Sequence, residues 1–296
     1  MPKSLIKAAH LATQRTYFKE PLKQEDIGYS SNIFMIFGLP ALRLKDNPQT
    51  WTRKTDLYDL TIIRNPRYEI PSGCYARMNQ IFIDTEVKTK NTNVIDVGRS
   101  FYEYTKKLGY THGGAEKELI KQLVNYVTSA IILNVNENVP NQPAYINTFV
   151  SKTGGGDIFF DVKNPDQLMM GTGKIILQED YARYIHKHAV PLDLKAVETF
   201  KRNPLALDFY RFLAYRCNTL NKTISFPDHL LFEQLGTSQA EDKVTRARLK
   251  AILRFIQGFW PVRAKFEDGY FELQPSPPAV QTKIASRTPL SITHDL

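Results

Sequence analysis

Lys243, Arg246, Lys250 and Arg254 recur every three or four residues in the stretch QAEDKVTRARLKAILRFIQGFW, Gln239 to Trp260. On a helix turning roughly 100° per residue, that spacing gathers four cations into one arc, with Gln257 beside them. Such a ridge binds phosphate oxygens by charge and hydrogen bonding, and it makes or breaks no covalent bond. Val244, Ala251, Ile252, Phe255, Ile256 and Phe259 fall opposite, Leu249 and Leu253 widen the apolar side, and Arg248 is the one charge on the wrong face. Gln239 and Thr245 are candidate readers of base edges. A solvated cationic face is the ordinary meaning of an amphipathic basic helix, so the neighbouring elements must decide.

Other chemistry fits poorly. A His-x-His metal pair needs a strand that aims both rings at one ion, with a nucleophilic tyrosine nearby. His186-Lys187-His188 instead ends a predicted helix shortly before Pro191. The run GTGK, 171–174, lacks phosphate-loop spacing and is followed by Ile175 where Ser or Thr is needed, so it is expected to be a polar loop. Asp157, Asp161 and Asp166 do not follow a calcium-loop pattern. Cys74 and Cys217 have no metal-ligand spacing and form no disulfide framework, as in a reducing compartment. We expect no enzyme, no metal and no cofactor.

The elements around the ridge give it a purpose. FPDHLLFEQLGTS predicts a short helix, Asp228 to Leu235, and a tight Gly236-Thr237-Ser238 turn. Ser238 and Glu241 read as a capping box for the long helix, which Gly258 and Pro261 stop. A short helix, a glycine-bearing turn and a longer helix make a helix-turn-helix, whose second helix enters a major groove. VRAKFEDGYFELQ then alternates around Asp268-Gly269, a two-residue hairpin signal. Arg263 and Lys265 share one face of its first strand, while Val262, Ala264 and Phe266 share the other. Helix-turn-helix plus basic hairpin describes a winged helix, its wing laid along the DNA backbone.

The 296 residues suit two domains, and the formal net charge of +9 favours double-stranded nucleic acid over a membrane surface. No apolar run reaches membrane-spanning length, and the basic N-terminus lacks a signal peptide's apolar core, so a cytoplasmic protein is expected. The chain also repeats itself. Aligning Ala115 with Ala240 puts Leu119 on Val244, Val124 on Leu249, Val127 on Ile252 and Ile131 on Ile256. A first winged helix is therefore expected, with helices over Tyr75–Lys88, Ser100–Leu108 and Gly114–Ala130. Strands over Tyr145–Lys152 and Asp157–Val162 would meet at a Gly154-Gly155-Gly156 hairpin tip. On this alignment the basic ridge meets Glu118, Lys121, Asn125 and Ser129, so only Lys117 and Lys121 are candidate DNA contacts there. The fold class is α+β: two tandem winged-helix domains, mainly helical, with small antiparallel β-hairpin wings. An arm over 1–28, domains over 29–178 and 179–275, and a mobile Pro/Ser/Thr-rich tail over 276–296 complete the division.

AVPLDLKAVETFKRNPLALDFYRFLAYR, 189–216, resembles the plasmid-encoded RepA-type replication initiators through Pro191, Asp193, Lys201, Asn203, Pro204, Leu205, Ala206, Leu207, Asp208 and Tyr210. Thr85, Glu86, Gly98, Ser100, Leu108, Gly109, Gly113 and Gly114 extend the likeness into the first half, and it covers roughly Ile27 to Leu273. The resemblance implies an initiator with tandem winged helices that binds repeated origin sites (iterons), helps open adjacent AT-rich DNA and recruits the host initiator and helicase. It also implies a homodimer through the N-terminal domain that represses its own promoter. Two other readings stay open: a dimeric repressor on an inverted repeat, and a nuclease that would leave cut DNA.

Overall fold

The computed structural model describes residues 22–55, 58–98, 100–110, 115–135, 146–149, 153–157, 173–237 and 242–281. Helices and small antiparallel sheets alternate, which makes the fold α+β. The first half runs β1 (Ile27–Ser31), α1 (Asn32–Phe37), β2 (Thr50–Lys54), β3 (Tyr58–Ile63), α2 (Gly73–Lys90), β4 (Val94–Asp96), α3 (Phe101–Lys107) and α4 (Ala115–Thr128). It continues through β5 (Ala130–Val135), β6 (Ile146–Phe149), β7 (Thr153–Asp157) and β8 (Lys174–Leu177). The second half runs α5 (Glu179–His188), β9 (Ala189–Asp193), α6 (Leu194–Phe200), α7 (Pro204–Thr219) and β10 (Ile224–Pro227). It ends with α8 (Asp228–Gln234), α9 (Asp242–Gln257), β11 (Ala264–Glu267) and β12 (Tyr270–Leu273).

Local signals place the helix starts. Ser100 caps α3 by accepting from the Glu103 amide, and Asp193 caps α6 by accepting from Lys195. Asn203 caps α7 by accepting from Ala206, with Pro204 in the first turn, where its missing N–H costs nothing. Asp268 and Gly269 both take positive φ, 47° and 81°, as the two-residue turn between β11 and β12 requires.

The strands group as β2-β3-β5-β6, β4-β8-β7, β10-β12-β11 and β1-β9. Two expectations change here. Gly154, Gly155 and Gly156 form no hairpin tip but lie inside β7, which pairs with β8 across a register irregularity between Thr153 and Gly155. Glycine tolerates such a bulge, and β6 pairs with β5 instead. Within GTGK, Gly173 precedes β8 and Lys174 opens it, so the run does not end as a loop.

The core is continuous from one half to the other. Helix α2 buries Ala76, Ile81, Ile83 and Val87, and also Arg77, Asn79, Gln80 and Asp84. Helix α7 buries Leu207, Phe209, Tyr210, Phe212 and Leu213, so these three aromatics are core, while Tyr215 is half-buried. β1 pairs with β9, five residues on each side. The start of the tail is packed rather than mobile: buried Trp260 donates to the Pro277 carbonyl at 3.0 Å, and Ala279 and Val280 are buried. Among the described residues no helix is long and apolar enough to cross a membrane.

Candidate nucleic-acid interface

Helices α8 and α9 are joined through Gly236, whose φ of 72° suits the residue just past a helix end. Ser238 and Glu241, the expected capping box, and Gln239, a candidate base reader, lie outside the described residues. Helix α9 ends at Gln257, where Gly258 and Pro261 stop it. The Gln257 amide donates to the Val262 and Ala264 carbonyls at 3.2 and 3.0 Å, which ties the helix to the following hairpin.

The buried face of α9 is Thr245, Leu249, Ile252, Leu253 and Ile256. It is rotated from the expected face by about a residue. Val244 is 40% exposed and Thr245 only 2%, so the expectation that Thr245 reads bases is corrected: its side chain faces the core. The same shift corrects the internal alignment. Leu119, Leu123, Tyr126 and Val127 are the buried ridge of α4, and they superpose in pattern on Thr245, Leu249, Ile252 and Leu253. Asn125 and Ser129, set against Lys250 and Arg254 in the expected alignment, are buried.

Lys243, Arg254 and also Arg248 are exposed, and Lys250 is half-buried. Among the described residues none of these four makes an ion pair. Arg248, the charge expected on the wrong face, shares the exposed side with Val244, one turn before it. Arg246 differs from the rest. Its guanidinium forks the buried Asp228 carboxylate, with Nη2 to Oδ1 at 3.0 Å and Nε to Oδ2, and lies 6.0 Å from the centre of the Phe232 ring. Hydrogen bonding to Asp228 raises the Arg246 pKa further. Arg246 is thus a brace between α9 and the start of α8, not an open phosphate ligand.

On the hairpin, Arg263 is exposed and makes no ion pair among the described residues, whereas Lys265 is paired with Glu267 and lies 3.8 Å from Glu272 across the strand. The hydrogen bond and charge of Lys265 hold the Glu267 carboxyl below its usual range, and Lys250 adds to this. The expected basic face of the hairpin therefore contributes Arg263, with Lys265 internally compensated. In the first half Lys117 is exposed, while Lys121 is bound to Glu69 at 3.0 Å. Glu69 is also held by Arg43 at 2.6 Å. Lys121, Glu69, Arg67, Tyr68, Val124 and Asn125 line a shallow depression.

His186 and His188 lie in the last turn of α5; the His188 ring stacks on Tyr184 at 4.6 Å, and the His186 carbonyl accepts from Lys88. Among the described residues no group of His, Cys, Asp and Glu has metal-binding geometry.

Comparison with known proteins gives a family. No curated protein matches the chain. Two crystal structures of domains 2 and 3 of RctB, one a selenomethionine derivative, match at 11% identity with TM-scores of 0.48 and 0.47. They cover 85% and 82% of this chain and 97% and 95% of their own. The family model for the plasmid-encoded RepA protein matches residues 70–226, from the loop before α2 to β10. That span is more than half of the 296 residues, so the chain belongs to the plasmid-encoded RepA protein family.

Proposed function

We propose that the protein is a plasmid replication initiator. It binds repeated double-stranded sites at an origin, promotes opening of the neighbouring DNA and recruits the host initiator and helicase. It acts by binding and carries out no bond chemistry. The observation that supports this most is the cationic ridge on α9, which makes no ion pair among the described residues. Lys243, Lys250 and Arg254 stand on the outer face of α9, which follows the short helix α8 and precedes the β11–β12 hairpin. Family membership supports the replication role.

In this reading α7, α8, α9 and the β11–β12 hairpin form the C-terminal winged helix and the main DNA reader. Helices α2, α3 and α4 with β5 and β6 form an N-terminal one. The N-terminal unit makes auxiliary contacts through Lys117 and carries the homodimer surface. Phosphate contacts by the ridge supply salt-dependent affinity, and base edges in the major groove supply specificity.

Selection of bound fragments from plasmid DNA, followed by footprinting, tests the proposal. Several same-direction repeats beside an AT-rich tract are the expected result. A lone inverted repeat over a promoter would overturn it in favour of a dimeric repressor, and nicked product would point to a nuclease.

A further inference from the structure

Arg53 lies on β2 in the first half, yet its side chain reaches into the second. Its Nη1 donates to the carbonyl of Gln234, the last residue of α8, at 3.1 Å, and also to the carbonyl of Phe37 at the end of α1. Its guanidinium carbon stands 4.8 Å from the centre of the Trp51 ring. A helix C-terminus carries unsatisfied carbonyls and partial negative charge, so a cation fixed there is well matched. Two glycines make the room. A Cβ at Gly236, the turn residue between α8 and α9, would collide with the Arg53 guanidinium. A Cβ at Gly38 would collide with Asp208, whose carboxylate lies in the same buried cluster. Arg53 is itself buried.

We infer that Arg53 is a positioning residue for DNA recognition: by clasping the α8–α9 turn it fixes the orientation of the reading helix relative to the first half of the chain. It touches no DNA in this role. The inference rests on the proposed reading that α9 enters DNA, and it adds that the two halves reach their sites as one preset body. When two contacts are held at the right span, the second forms at high effective concentration. Preset geometry also avoids the entropy of ordering on binding. Loosening the clasp therefore weakens DNA that engages both halves and spares DNA that engages α9 alone.

The test joins a distance measurement to a binding measurement. Spin labels at Lys106→Cys and Ala247→Cys, both exposed positions, are placed in full-length protein carrying Cys74→Ala and Cys217→Ala. The parent should give one narrow distance distribution. Arg53→Ala and Arg53→Gln should each broaden or shift it, and Arg53→Lys, which keeps a donor and a charge, should restore it in part. On the duplex recovered by the selection above, Arg53→Ala should lose about tenfold in affinity or more. On the same duplex trimmed to the α9 footprint it should lose less than about twofold, because no second contact is at stake there.

An unchanged distance distribution in a folded Arg53→Ala protein overturns the clasp, and so does an equal loss on both duplexes. If Arg53→Ala does not reach the parental circular dichroism spectrum, Arg53→Gln, which keeps much of the side chain and removes the charge, supplies the same two outcomes. Failure of the DNA reading has a different signature: the parent itself would prefer the selected duplex no more than random DNA. The distance measurement needs no DNA and still decides whether the clasp exists.

Discussion

Arg246 and its neighbours show how one helix sorts cations into different work. Asp228 is buried and its carboxylate is satisfied by the Arg246 fork. Arg246→Ala leaves that carboxylate without its partner, which should cost about 2 kcal/mol in urea unfolding. The same change should leave the salt dependence of DNA affinity nearly unaltered. Lys243→Ala and Arg254→Ala should do the reverse. Each should lower the slope of log affinity against log salt by about 0.9, with stability within about 0.5 kcal/mol of the parent. A slope lost at Arg246 would instead return it to the phosphate contacts. A second residue-scale effect concerns Asp84. Burial pushes its carboxyl up to about 7, against the lowering pull of the Ser31 amide and the Arg211 guanidinium. An unfolded aspartate ionises near pH 4. Between about 4 and 7 the folded chain thus holds a proton that the unfolded chain has lost, and stability falls as pH rises through that window. Denaturant midpoints measured across it should show the fall, and Asp84→Asn should flatten it.

The register of a helix is a property of the element, and α9 makes a sharp test of it. Val244 looks outward and Thr245 inward, the reverse of what their hydrophobicity implies. Val244→Lys should be tolerated within about 0.5 kcal/mol. Thr245→Lys places an unpaired ammonium in the core, and it should unfold the chain or abolish its cooperative melt. If both variants melted alike, the register would be wrong. The reason the sequence misleads here is physical. Threonine and valine have nearly the same shape, so a helix can bury either, and neighbours outside the helix choose. The Asp268-Gly269 turn and the end of α9 at Gly258 and Pro261 were legible because they depend on nearby residues. The strands β1, β9, β4 and β8 were not, because each is short and each is completed by a partner far along the chain. The pairing of Lys265 with Glu267 and Glu272 was hidden for a related reason: a cation on a strand face shows its charge in the sequence but not what stands across from it.

At the scale of the whole molecule the two halves share one interior. Arg77 on α2 forks Asp208 on α7, with Nε to Oδ1 at 2.9 Å and Nη2 to Oδ2 at 2.6 Å. Arg211, buried completely, gives Nη2 to Ser30 on β1 at 2.7 Å and to Gln80 on α2 at 2.5 Å. Burial lowers the Arg211 pKa to about 10, against the attraction of Asp208, but its charge persists at neutral pH and needs these partners. A fragment over 179–281 would keep all of α7, α8 and α9 but lose Arg77, Ser30, Gln80 and the strand that pairs with β9. Removing one side of a buried pair costs about 3–5 kcal/mol, and a domain has only about 5–15 kcal/mol in total. The fragment should therefore lack a cooperative thermal transition and bind an apolar dye. Residues 22–281 should melt in a single transition seen alike by circular dichroism and by tryptophan fluorescence, since Trp51 and Trp260 sit in opposite halves. A fragment that melted cooperatively on its own would show that the shared charges orient the halves without being needed to fold them.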